Sequence, residues 1–182
     1  MFKIAIDKET LFDDSKNEFI HVDGKEIELE HSLVAISEWE KKYHKPFMAT
    51  TEKTSAELVY YIRCMALNEN NKELLDEKYA VIIAKTPSYI GLLKAYLDNP
   101  MTATTVKSSP GKHSNEVVTS EVMYYWIVAH QIDFQVQYWP LPRLIKLVEV
   151  CNAKNQPNKK MGKTGTMNYH RAMNAARRPK KS

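Results

Sequence analysis

Long apolar runs are missing from this sequence, and so are most of the residues that build covalent or metal frameworks. No stretch approaches the roughly 18 consecutive apolar residues of a membrane-crossing helix. Two cysteines, Cys64 and Cys151, cannot make a disulfide framework, nor a zinc site without other residue types. Five glycines and eight prolines exclude collagen-like and linker-like chains. The opening residues, Met1-Phe2-Lys3-Ile4-Ala5-Ile6-Asp7, lack the apolar stretch and small-residue cleavage site of a secretory signal. The expectation is a reduced, intracellular, soluble protein. Acidic residues are missing too from the end of the chain, where none follows Glu149.

What is present is enough for one ordinary globular domain with an appendage: 182 residues, 43% hydrophobic and 26% charged. The net charge of +4 is unevenly placed. Residues 152–182 carry nine positive charges, which leaves the first 151 residues at −5. Residues 1–40 hold eleven acids against four lysines. An acidic front thus precedes a neutral middle and a basic tail. Such a tail fits a polyanion such as nucleic acid, by counterion release. It fits equally an acidic protein surface, including the front of another copy, or a solvated terminus with no dedicated partner.

Along the chain, Phe2, Ile4 and Ile6 alternate with Lys3, Ala5 and Asp7, the period of a strand with one buried face. Residues 13–17 carry turn chemistry. Asp23-Gly24 between Phe19–Val22 and Lys25–Glu30 predicts a tight hairpin, with Ile27 and Leu29 on one face and the glutamates facing water. The pattern then turns helical. Ser32 caps a helix through Leu33, Ile36 and Trp39 to about Tyr43, stopped by Pro46. Thr54 and Glu57 form a capping box before Leu58, Val59, Tyr61, Ile62 and Met65. Thr86-Pro87 opens a helix through Ile90, Leu93 and Leu97, and residues 102–115 read as a polar loop. Ser114 precedes a helix over roughly 115–131 that is apolar nearly all round, which predicts burial on several faces. Trp139-Pro140-Leu141-Pro142 starts another through Leu144 and Val148 to Cys151, and the short link between the two predicts a helical hairpin. The spacing of Met167, Ala172 or Met173, and Ala176 allows a last short helix. The fold class is α+β, mostly α: a small N-terminal antiparallel sheet, four or five helices and a basic tail. Residues 1–152 form the globular domain, with 1–31 as its hairpin region and 32–152 helical; 153–182 are the tail.

Motifs for chemistry are few. Gly111-Lys112 and Gly162-Lys163-Thr164 imitate part of a phosphate-binding loop, but Val106 and Pro157 stand where its first glycine belongs. Six histidines (His21, His31, His44, His113, His130, His170) are far apart, and none pairs with a carboxylate or cysteine at ligand spacing. Cys64 and Cys151 lie on apolar helix faces, where a thiol acts as a small hydrophobe. No cofactor, metal site or enzymatic activity is expected. The aromatics Trp39, Trp126, Trp139, Tyr60, Tyr61, Tyr124, Tyr125 and Tyr138 exceed what one small core comfortably hides; they read as core first, with an interface as the alternative at Tyr124-Tyr125-Trp126, where opposite sides of a helix are aromatic.

Three blocks carry a resemblance. They are Leu29–Glu40 with His44–Phe47; Thr119–Ala129; and the segment from Trp139 through Arg143-Leu144-Ile145 to Asn152, closing with Lys159-Lys160-Met161 and Asn174–Arg178. In this order they resemble tail assembly chaperones of long-tailed bacteriophages. The resemblance implies a binding protein without enzymatic activity, acting in the cytoplasm of a bacterial host, whose partners are the helical tape measure protein and tail tube subunits. Pro140 and Pro142 depart from the family pattern at the start of one helix. Candidate partner-binding residues are Tyr124, Tyr125, Trp126, Trp139, Arg143, Lys159, Lys160, Arg171, Arg177 and Arg178. Self-association of acidic front with basic tail is a further expectation. The alternatives are a structural component of the tail or head–tail connector, and a nucleic-acid-binding protein using residues 154–181.

Overall fold

A computed structural model describes residues 1–13, 17–50, 52–105 and 117–155, together with Met167, Asn168, His170, Arg171 and Met173. Four strands come first: β1 (Phe2–Ile6), β2 (Glu9–Asp13), β3 (Glu18–Val22) and β4 (Lys25–Leu29). Among the described residues up to Asn155 six α-helices follow: α1 (Leu33–Tyr43), α2 (Ser55–Cys64), α3 (Glu77–Lys85), α4 (Pro87–Leu97), α5 (Ser120–Ala129) and α6 (Leu141–Asn155), with a 3₁₀ helix at Phe134–Tyr138. The class is α+β and mostly α, as the residue pattern predicts.

The strands pair differently from the expectation. Asp23-Gly24 does not turn β3 onto β4; β1 pairs with β4 and β2 with β3, both antiparallel. Phe2 lies opposite Leu29 and Glu9 opposite Val22, so both ladders share one register in which partner numbers add to 31. This is a single long ribbon, closed near Asn17 and interrupted where Asp7-Lys8 faces Asp23-Gly24. The tight turn fails because it needs positive φ at its central residues, whereas Gly24 has none and Asn17 does, at φ 52°. Two tyrosines hold the interruption instead. The Asp7 amide donates to the Tyr89 hydroxyl of α4 (3.4 Å), and the Tyr79 hydroxyl of α3 donates to the Asp23 carbonyl (3.3 Å). Two of the backbone groups released from the ladder, one on each strand, are thereby satisfied.

Across the interruption the buried face changes. Ile4, Ile6, Ile27 and Leu29 are buried on one side of the inner ladder. Counting on by twos from Ile27 reaches His21 and Phe19, which are exposed, while Val22 is buried. The ribbon therefore presents its opposite face to the helices beyond the bend, and the Phe12–Phe19 pair (ring centroids 5.1 Å apart) is left outside.

Local signals explain most helix ends. The Ser32 side chain accepts from Ala35 N to cap α1. α1 ends before Pro46, at His44, whose φ of 53° is left-handed and whose N–H reaches the Glu40 carbonyl. The Thr54–Glu57 capping box is formed in both directions. Pro87 opens α4, although Thr86 makes no side-chain cap. α3 has no counterpart in the spacing analysis. Its residues Tyr79, Ala80, Val81, Ile82 and Ile83 are all buried, and a helix enclosed on several sides shows no 3.6-residue alternation to read.

The core runs from the inner ribbon through Leu33, Ile36 and Trp39 of α1 to Ile62, Ile82, Leu93, Ile127 and Leu144. An aromatic cluster forms its centre: Trp39 meets Phe47 edge-on at 5.1 Å, and Phe47 lies 4.3 Å from Tyr61. Glu40 ties this centre to the second half of the chain. Its buried carboxylate accepts from Phe47 N and from Ser120 N, each at 2.7 Å. Ser120 is the first residue of α5, capped by Thr119, so the helix starts later than Ser114 predicts. Glu30 also departs from expectation: it is buried, 2.7 Å from the Met1 amino nitrogen, and accepts from the Tyr96 hydroxyl at 2.5 Å.

Glu40→Ala is expected to destabilise the fold by about 3 kcal/mol, because two buried amides lose an ionised acceptor. Glu40→Gln keeps one acceptor and loses about half as much. Urea unfolding followed by tryptophan fluorescence measures both.

Candidate partner-binding surface

α5 is apolar at Val122–Ala129, but the expectation of burial on several faces is overturned. Only Ser120, Met123 and Ile127 are buried, and among the described residues the main helical contact of α5 is with α1. Glu121, Tyr125 and Val128, at the i, i+4, i+7 spacing of one helical stripe, are exposed. Tyr125 is 68% and Val128 57% accessible. Phe134, on the 3₁₀ helix, and Val117, just before α5, are 51% accessible. The Phe134 ring stacks with Tyr124 (6.3 Å, 26° between planes), and the Tyr124 hydroxyl reaches Gln137 at 3.1 Å. Tyr124 thus joins α5 to the 3₁₀ helix, and Tyr125 and Val128 are exposed on the neighbouring stripe with Glu121.

The helical hairpin expected of α5 and α6 is not formed. The N-terminus of α6 is fixed beside that of α1, through Leu141 N to His31 O (2.7 Å) and a bridge between Ser32 and Pro140. His130, at the end of α5, meets Asn152 near the end of α6 (3.0 Å). An antiparallel pair would bring that end of α5 to the start of α6. The 3₁₀ helix and the Ser32–Pro140 bridge redirect the chain.

The other candidate residues are placed as follows. Trp126 is half-buried against the core. The Arg143 guanidinium lies 4.5 Å from the centre of the half-buried Trp139 ring, and Lys72 sits 4.2 Å over Tyr138 and donates to its hydroxyl at 2.6 Å. These cation–aromatic pairs leave ring edges at the surface. Arg171 is exposed on a helical turn. Lys159, Lys160, Arg177 and Arg178 lie outside the described residues, as do Ala172, Ala176, His113 and both loops that imitate a phosphate site. Val128 and Phe134 were not singled out by sequence. The signal available was the i, i+4 pair Met123 and Ile127, which with Ser120 makes up α5's buried stripe and leaves Val128 outside it.

Other polar groups are tied up structurally. His31 is enclosed by Phe47 and Tyr61, hydrogen-bonds the Tyr61 hydroxyl through Nδ1, and feels Lys53 nearby. Burial first, then the Lys53 charge, push its pKa down to about 4. The Cys64 thiol is pushed up to about 12, mainly by burial, which disfavours the reactive thiolate. Among the described residues no group of three or more His, Cys, Asp or Glu side chains is placed to hold a metal ion, and no helix is long and apolar enough to cross a membrane.

Compared with known protein families, curated proteins and solved structures, the chain matches none.

The His31 environment gives a pH dependence. The unfolded imidazole binds its proton near 6.5 and the folded one near 4, so the unfolded state holds more protons between these values. The contribution is complete above pH 6.5 and lost as the pH falls toward 4, on the order of 3 kcal/mol in all. His31→Gln, which cannot titrate, flattens this limb of a stability profile measured by urea unfolding at stepped pH.

Proposed function

We propose that this protein is a phage tail assembly chaperone, binding the tape measure protein and tail tube subunits during tail morphogenesis and catalysing no reaction. One observation carries the reading: α5 is apolar nearly all round yet buries one stripe, leaving Tyr125, Val128 and Phe134 exposed together. Exposed aromatic and apolar side chains at helical spacing are what an amphipathic helical client docks on, and tyrosine supplies large contact area at little entropic cost. Arg143 over Trp139 adds a cationic rim beside an aromatic face. The resemblance of the α1, α5 and α6 segments to tail assembly chaperones supplies the client class. A chaperone of this kind leaves before the particle is complete, whereas a structural tail component stays in it.

The test is co-expression with the tape measure gene of a long-tailed phage, followed by affinity capture. The wild-type chain is expected to retain the tape measure protein. Tyr125→Ser combined with Val128→Ser lowers retention about tenfold or more, with a thermal midpoint close to wild type because both side chains are exposed. Equal retention by the double variant would sink the reading of this surface. Mass spectrometry of purified virions is expected to find no copies; stoichiometric copies would make the protein a structural component.

A further inference from the structure

We infer that the chain's basic C-terminal segment docks, from a second copy, into the groove between the outer ribbon and α3. The groove has a volume of about 340 Å³. Phe19, Ile20 and Val81 give it an apolar floor, and Glu18, Asp76 and Glu77 give it a carboxylate rim. Lys78 also lines it but lies 3.8 Å from Asp76, and Glu77 is 3.8 Å from Arg63 on its far side. Glu18, exposed on the ribbon side, gives the rim its acidic edge. Beside it stands the Phe12–Phe19 pair, 41% and 64% accessible, turned outward by the change of face at the ribbon's bend.

The occupant follows from charge and from what the tail leaves uncovered. Residues 152–182 hold nine basic side chains and no acid, the complement of an acidic rim. Met167, His170, Arg171 and Met173 are helical and exposed, Met167 at 63% and Met173 at 40%. At roughly 100° per residue, Met167, His170 and Met173 fall within about 120° of the helix circumference. Two methionines beside Arg171 match an apolar floor edged by carboxylates. Met167 and Met173 are exposed in a single chain, which leaves both side chains for the groove of a second copy. The contact is heterologous, groove to tail, so it propagates into a ring or an open filament. It involves neither α5 nor the 3₁₀ helix, and its failure leaves the client surface standing.

Sedimentation velocity of the full-length chain over a wide concentration range provides the test. The wild type is expected to self-associate, less strongly as salt rises. Glu18→Lys, Phe19→Ser and Arg171→Glu each weaken association about tenfold, with unchanged circular dichroism and thermal midpoint, since all three side chains are exposed. Mixing the Glu18→Lys chain with the Arg171→Glu chain restores association, because each provides the charge the other now needs. A wild type that stays monomeric throughout overturns the inference. So does association that none of the three substitutions alters, or a mixture that associates no better than its components.

Discussion

Helix α1 occupies the middle of the molecule, and the carboxylate of Glu40 decides what can pack against it. A glutamate near the C-terminal end of a helix is electrostatically disfavoured there, since the carbonyls of the last turn carry partial negative charge. The amide of Ser120 at the opposing N-terminus of α5 offsets that cost, and the amide of Phe47 adds a second donor. One side chain thereby fixes the loop that supplies Phe47 to the aromatic cluster and sets the start of α5 against α1. Both consequences follow from one requirement, that a buried ion be fully hydrogen-bonded. Among the described residues every buried side-chain nitrogen or oxygen meets it.

With α5 anchored at one end of α1 and α6 held at the other by the Ser32–Pro140 bridge, the intervening chain spans α1 lengthwise. It does so as α5 and the 3₁₀ helix, covering one side of α1. Among the described residues, Tyr125, Val128 and Phe134 on their outer side remain exposed. Their exposure is a direct result of this placement, and no special feature of those residues is required. The chaperone reading uses these side chains; the geometry that leaves them bare comes from the fold.

Much of the architecture was legible because it is written in local chemistry. Ser32, the Thr54–Glu57 box and Pro87 mark helix starts through their own hydrogen bonds or a pre-set φ, and these hold in any context. The strand pattern of Phe2, Ile4 and Ile6 was equally plain. What escaped depends on distant partners. Asp23-Gly24 reads as a turn until Tyr79 and Tyr89, from helices far along the chain, satisfy the backbone there. α3 and α5 are both strongly apolar, yet α3 lies enclosed and α5 lies half bare, a difference set by their neighbours and invisible in their composition. Glu30 and Glu40 follow the same rule: their burial depends on donors at Met1, Tyr96, Phe47 and Ser120.

The continuous register of the interrupted ribbon constrains how the sequence can vary in length. Losing one residue from one strand at the bend leaves two residues opposite one and puts the alternation of the two strands out of phase across it. Matched gains, one residue on each strand, preserve the pairing but alternate the outward face, so only changes of two per strand keep both. Each such doubled step carries the aromatic tip about 7 Å farther from the body. The reach of this projection is therefore adjustable in quantised increments, with the helical body left untouched.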